Sequence, residues 1–208
     1  MRIAIIGAGE VGRALGLAWL KGPHEVTFGV RNPEDPKHAG LPRDRMALPA
    51  AAAAGADIIV LATPWPNTEA AIADLGDLAN RIVIDCTNPL AMGPDGLALT
   101  VGHDMSGGEL VAGWAKGAHV FKTFNQTGAE NMENASHYIP AAAMFVAGDN
   151  NTLKPAVLGL VRDLGFEAID AGPLRNARLL EPLAMLWIDQ ALYRGAGREF
   201  AFAVVHKR

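Results

Sequence analysis

The stretch RIAIIGAGEVGRALG, residues 2–16, decides the fold. A short apolar run, Arg2 to Ile6, ends in the hexapeptide GAGEVG at 7–12, and apolar residues at helical spacing follow at once. G-x-G-x-x-G is weak evidence alone; between a strand and a helix it marks a turn that cradles a dinucleotide. Gly7 permits the tight turn. Gly9 lets backbone approach a diphosphate at the positive end of the helix, and Gly12 lets that helix lie close to the sheet. The residues expected around the phosphates are therefore Gly7, Ala8, Gly9, Glu10, Val11 and Gly12. A glycine-rich turn without a ligand is the alternative.

Outward from this unit, short apolar runs alternate with helical patterns. RIAII (2–6), EVTFGV (25–30), DIIVLA (57–62), RIVIDC (81–86), HVFKTF (119–124), AMFVAG (143–148) and FEAIDA (166–171) read as strands. Most are continuously apolar, as strands covered on both faces are. Helices are predicted at 11–21, 48–54, 67–75, 107–116, 127–134, 152–164 and 176–194. The alternation predicts an α/β, Rossmann-type doubly wound, mainly parallel sheet with a small C-terminal helical extension. The division expected is 1–171 for the dinucleotide-binding domain and 172–208 for a helix and tail packed on it, as an acceptor pocket or dimer contact. Ser106 and Glu109 form a capping box, Thr152 is expected to cap the helix that carries Pro155 in its first turn, and Gly165 ends that helix. TNPLAMGPDGLALTVGHDM (87–105) reads as a long irregular loop lining a site. The tail FAFAVV (200–205) reads as a strand or a helix end, at a sheet edge or a dimer contact.

Composition narrows the partners. The chain has 208 residues, 50% of them hydrophobic, and a net charge of −4, with no basic run. Nucleic-acid and anionic-membrane surfaces are not expected. The single cysteine, Cys86, excludes an internal disulfide framework and points to a reducing, cytoplasmic setting. No apolar stretch is long enough for a signal h-region or a bilayer span.

The turn after the second strand, GVRNPED (29–35), sits where an acidic residue usually reads the ribose, roughly 20 residues beyond the glycines. Here it carries Arg31 and Asn32. A guanidinium offers a planar fork of donors suited to a phosphate, and Asn32 adds an amide donor. NADP(H) is therefore expected over NAD(H), unless Arg31 is a solvated turn arginine paired with Glu34 or Asp35. Three polar clusters directly follow strands: ATPWPN (62–67) with Thr63, Pro64 and Trp65, CTNPL (86–90) with Asn88, and KTFNQTGAENM (122–132) with Lys122, Asn125, Gln126 and Thr127. In doubly wound sheets such ends converge on one crevice, although Asn and Pro also end strands for purely local reasons. Metal-ligand spacing and a nucleophile elbow are both missing. His103–Asp104 is the best acid–base pair by sequence and reads equally as an ordinary loop pair. No catalytic acid stands out, which suits hydride transfer to a flavin-like ring better than carbonyl or imine reduction.

With these motifs together (IAIIGAGEVGRALG, GVRNP, ADIIVLATPW, VIDCTNPL, SGGELVAGWAKGAHVFKTFNQTGAENM, MFVAGDN and DLGFEAIDAGPLRNARLLEPLAMLWI), the chain resembles the NADPH-dependent coenzyme F420 reductases. It is also similar to the reductase domain of six-transmembrane ferric reductases. The resemblance implies NADP held by Gly7 to Gly12, Arg31 and its neighbours, Thr63, Pro64 and Asn88. It implies a deazaflavin (coenzyme F420) or flavin acceptor near Asn125, Thr127, Gly128, Ala129 and the 176–190 helix, and a homodimer. Two positions depart from the family pattern: its GSR-like turn is GVR here, and KAFN is KTFN. An imine or hydroxyacid reductase of the pyrroline-carboxylate reductase kind shares the first half of such a fold, but only 172–208 remain here for its helical substrate domain. A non-catalytic NADP-sensing module is the remaining alternative, with AMLWIDQALY as an interface.

Overall fold

The computed structural model describes residues 1–207. Its strands are β1 (Arg2–Ile6), β2 (Glu25–Gly29), β3 (Met46–Ala47), β4 (Ile58–Leu61), β5 (Ile82–Asp85), β6 (Leu90–Gly93), β7 (Gly96–Leu99), β8 (His119–Lys122), β9 (Ala143–Gly148) and β10 (Glu167–Asp170). Its helices are α1 (Glu10–Trp19), α2 (Pro49–Ala54), α3 (Thr68–Ala73), α4 (Gly107–Trp114), α5 (Ala129–Met132), α6 (Lys154–Asp163) and α7 (Ala177–Tyr193). Eight strands form one sheet in the order β10-β9-β8-β5-β4-β1-β2-β3. From β3 to β8 all neighbours are parallel; β9 pairs antiparallel with β8, and β10 parallel with β9. The chain winds from β1 toward β3 and then restarts at β4 on the other side of β1. The β1/β4 boundary is therefore the topological switch point, where a crevice opens beyond the carboxyl ends of the strands.

Burial on both faces explains the unbroken apolar strands. Ile3, Ile5, Ile58, Val60 and, from β2, Phe28 point into one core with Leu15, Trp19, Val157 and Leu160 from the α1/α6 layer. Their strand neighbours Ala4, Ile6, Ile59 and Leu61 point into a second core with Ala52, Ile72 and Val111 from α2, α3 and α4. Period-two alternation sends every second residue to each layer, so both sets must be apolar. The Trp19 indole N–H also donates to the Leu160 carbonyl at 3.2 Å, tying α1 to α6.

Three local expectations need correction. Residues 87–105 are not one irregular loop: β6 and β7 form an antiparallel hairpin whose turn passes through Gly96 at φ +110°. The Asp95–Gly96 step permits that reversal, which the surrounding Pro and Gly content obscured. Thr152 does not cap α6. Asn150 lies two residues upstream and accepts from the Thr152 and Leu153 amides at 3.1 Å, the local turn that Asn side chains favour. Segment 200–205 is neither strand nor helix. Its Phe200 carbonyl is taken up by side chains, and Phe202 O accepts one bond from Ala143 N at 2.8 Å.

The helix α7 lies against α4 and β7. Arg178 on α7 donates to Glu109 on α4 at 2.8 and 2.6 Å. That bond holds the Glu109 carboxyl below its ordinary range, burial opposes it, and the Ser106 hydroxyl adds to the lowering. A depressed carboxyl stabilises the fold above its unfolded-state range, and the contribution fades as pH falls through the lowered value. Arg178→Gln should therefore lower urea stability at neutral pH and leave it nearly unchanged at strongly acidic pH. Equal losses at both would exclude the ion pair as the cause.

Candidate functional site

The glycine-rich turn separates what the protein needs from what it leaves open. Gly7 has φ +102°, a left-handed value that side chains disfavour, and its N–H donates to Gly29 O at 3.1 Å. A Cβ there would lie 2.6 Å from the Ala62 carbonyl oxygen at the end of β4. A Cβ on Gly12 would run into the Gly7 carbonyl. Packing alone explains both glycines. Gly9 differs: φ −74° and ψ −168° suit any residue, and a Cβ there meets nothing within 4 Å. The open space lies at the N-terminus of α1, which has no side-chain cap. An anion approaching there finds unshielded backbone and the positive end of the helix. Ala8 and Val11 pack on the core, and Glu10 is exposed.

A second glycine pair, Gly107–Gly108, opens α4, and its N-terminus is already filled. The Glu181 carboxylate, from α7, accepts the Gly107 and Gly108 amides at 2.9 and 3.0 Å. That helix start is a docking point for α7; the start of α1 is free.

Arg31 and Asn32 are exposed in the turn after β2. Glu34 pairs with Arg43 at 3.2 Å and Asp35 with Lys37 at 2.8 Å. Arg31 has no ion pair among the described residues, so the two acids that might have neutralised it are engaged elsewhere. Asn32 Oδ1 accepts from the Glu34 amide at 3.1 Å, a bond that does not engage its NH2 group. Val30, where the family pattern has serine, is 5% exposed and belongs to the core.

The remaining strand ends meet. Thr63, after β4, bonds Thr68 Oγ1 at 2.9 Å, which in turn donates to Pro64 O at 3.2 Å. Asn88, after β5, and Asn125, after β8, clasp each other: Asn88 Nδ2 donates to Asn125 O at 2.9 Å, and Asn125 Nδ2 donates to Asn88 Oδ1 at 3.0 Å. Asn125 Nδ2 also reaches Leu180 O on α7 at 3.2 Å. Between β8 and Asn125 the chain passes through Phe124 at φ +58°, a strained value for a bulky residue, fully buried beside Trp19.

Thr127 meets the tail, Gly128 packs beside Trp187 of α7, and Ala129 is buried at the start of α5. Phe200 O accepts from Thr127 Oγ1 at 3.4 Å, Asn131 Nδ2 at 3.0 Å and the Trp187 indole at 2.8 Å. The Phe200 ring stacks on Trp187 at 5.2 Å between centroids. Arg198 bridges Glu130 and, at 3.3 Å, Glu10 beside the glycine-rich turn. The tail thus joins the two halves of the crevice, a contact no sequence pattern announces.

Lys122, read from the sequence as one of the polar residues at the crevice, is instead taken up by the interior. It is completely buried, and its ammonium donates to Asp85 Oδ2 at 2.9 Å, Thr87 O at 2.5 Å and Glu181 Oε1 at 2.9 Å. Burial alone would weaken its hold on the proton; the charges and hydrogen bonds of Asp85 and Glu181 outweigh that and raise its pKa. All three N–H bonds are spent, so Lys122 is not a proton donor to a substrate. The neighbouring Cys86 thiol is pushed well up by burial and then by Asp85, so it stays protonated. His103 and Asp104 are exposed. No cluster of metal-binding side chains occurs among the described residues. The crevice offers amides, hydroxyls and a helix terminus, without a free acid among the described residues.

The family profile described as NADP oxidoreductase, coenzyme F420-dependent, matches residues 2–89. A crystal structure from Arthrobacter sp. FB24, provisionally titled an F420-dependent NADP-reductase, is 31% identical. It superimposes with a TM-score of 0.90 over 99% of this chain and 100% of that one. The chain belongs to this family. It is an NADP-dependent oxidoreductase. The F420-dependent NADP reductase of Methanothermobacter thermautotrophicus is 27% identical over 205 residues, spanning 91% of this chain and 88% of that protein. Metalloreductase STEAP3 of Rattus norvegicus is 26% identical over 190 residues, spanning 89% of this chain but 37% of that protein. Similarity to these family members extends well past the glycine-rich turn, through the strand ends that form the crevice. No helix among the described residues is long and apolar enough to cross a membrane.

Proposed function

We propose that this enzyme moves hydride between NADPH and a deazaflavin of the coenzyme F420 type, with a flavin as the other ring of the same shape. The observation that carries the reading is the combination of an open Gly9 at an uncapped helix with an Arg31 whose neighbouring acids are paired elsewhere. Gly7 to Gly12 hold the diphosphate, Arg31 and Asn32 the 2′-phosphate, Thr63 and Pro64 the flank of the dinucleotide, and Asn88 its nicotinamide end. Bound NADPH supplies a hydride at nicotinamide C4. Asn125 to Ala129, α7 and the tail bound the acceptor side. The absence of a free side-chain acid there, among the described residues, favours a ring that delocalises the incoming electron pair over an imine or carbonyl that needs a delivered proton. The test is to mix the protein with NADPH and F420, FMN, FAD or a ferric chelate in turn and follow nicotinamide absorbance. Turnover with F420 or a flavin is expected; none with any ring acceptor sinks the proposal.

We also propose that the enzyme works as a homodimer in the cytoplasm. Leu179, Leu186 and Tyr193 are 66%, 50% and 55% exposed and recur every two turns on one face of α7. Such a stripe matches a copy of itself about a two-fold axis. Leu186→Glu is expected to convert a dimer to a monomer in light scattering; a wild-type monomer would end the proposal.

A further inference from the structure

We propose that buried Lys122 is a positioning residue, which sets where the nicotinamide-end loop stands relative to α7. The inference rests on the crevice being the hydride-transfer site. Lys122 holds Thr87 O, and the same peptide unit carries the amide of Asn88. Asp85 holds the other side of Thr87, accepting its amide at 2.9 Å and its hydroxyl at 2.7 Å. The loop is thus gripped on both sides before Asn88 leaves it. From Lys122 the grip passes to Glu181, whose carboxylate also holds the start of α4. One residue earlier on α7, Leu180 O accepts from Asn125, and Asn125 holds Asn88. Asn88 is therefore tied to α7 by two routes, one ionic through Lys122 and one amide through Asn125.

A closed ring of this kind resists both translation and rotation, because the Asn88 loop and α7 cannot shift against each other without breaking a bond in each route. Its members come from the ends of β5 and β8 and from α7, the element on the acceptor side. Bonds among the members satisfy all three ammonium protons, so the ring has nothing to offer a reactant directly. What it does is keep the two sides of the crevice at a constant separation. Hydride transfer is sensitive to that distance, and misplacement by about 1 Å can cost on the order of 100-fold in rate.

Two variants test this. Glu181→Gln leaves Lys122 and Asp85 as a balanced pair and weakens the link from Lys122 to α7, together with one of the two amide bonds that Glu181 accepts from the start of α4. Lys122→Met with Glu181→Gln removes the ionic route while Asp85 keeps its two bonds to Thr87. NADPH affinity, measured by nicotinamide fluorescence, should stay near wild type in both, since the glycine-rich turn and Arg31 are untouched. The rate constant kcat should fall by roughly 10–100-fold in the double variant and by less in Glu181→Gln. Loss of melting temperature with unchanged kcat would overturn the proposal, as would an NADPH Kd that rises in step with the loss of kcat. If the double variant does not fold, Glu181→Gln decides by the same criteria. A wild-type enzyme inactive with every ring acceptor would remove the functional reading alone. The anisotropy of bound NADPH then decides positioning: a fall in the variants supports it, and no change overturns it.

Discussion

Gly9→Ala is expected to leave the fold intact and abolish useful NADPH binding, whereas Gly12→Ala is expected to damage the fold itself. The two glycines belong to one hexapeptide and differ in what surrounds them. A methyl on Gly12 collides with the backbone carbonyl of Gly7, which cannot swing aside as a flexible side chain would. Relief requires α1 to move off the sheet, where it packs Leu15 and Trp19 into the larger core. Overpacking costs about 1–3 kcal/mol and more when backbone must shift, a large part of the roughly 5–15 kcal/mol that holds a domain together. A methyl on Gly9 meets nothing within 4 Å, and the backbone there already has dihedrals that alanine adopts. Its melting temperature should stay close to wild type. The methyl would occupy the space into which a diphosphate must come, forfeiting bonds to a charged group worth about 1.5–3 kcal/mol each. Losing two weakens NADPH binding by roughly 100-fold or more. Calorimetric titration and a melting curve on each variant check both halves. A Gly9→Ala protein that binds NADPH normally would show that the diphosphate lies elsewhere.

Much of this architecture was legible because it is written locally. Continuous runs such as Ile58–Leu61 announce strands buried on both faces, and Gly7 and Gly12 announce the turn and the close helix. The parts that were not legible depend on residues brought together from far apart. Lys122 meets Asp85 and Glu181 only after β5, β8 and α7 are assembled. The sole hint was a charge beside a run of apolar neighbours in VIDC, VFK and LLEPLAML. The Gly107–Gly108 start of α4 could pass for a second anion site until Glu181 is seen to fill it. The β6–β7 hairpin lacks β-branched residues, so Leu, Ala, Met and Gly did not read as strands. The tail was ambiguous for another reason: its carbonyls serve side chains of Asn131 and Trp187, and no periodicity encodes that. At Asn88 and Asn125 the residue types were visible, but their mutual clasp, and hence their partial use by the fold itself, was not.

Arg31→Ala carries the cofactor proposal, and its expected effect is selective. The substitution should weaken NADPH binding by about 1.5–3 kcal/mol, the range for a hydrogen bond to a charged group, or roughly 10–100-fold. NADH binding should barely change, because it lacks the group that the guanidinium would grip. The magnitude depends on Arg31 being available, and two observations bear on that. Glu34 and Asp35 follow within the same turn, yet each has its own cation, Arg43 and Lys37. Val30 occupies the family's serine position from within the core, so it offers no hydroxyl to share the load. With that contact missing, Arg31 and Asn32 should carry a larger fraction of the discrimination. Arg31 is exposed, so salt should screen it: raising ionic strength should narrow the NADPH-to-NADH preference of the wild type and hardly affect that of Arg31→Ala. Equal losses for both dinucleotides would mean that Arg31 supports the turn and does not read the phosphate. A preference that survives Arg31→Ala at full size would move the phosphate to other residues of the 31–43 loop, with Arg43, freed from Glu34, the next to substitute.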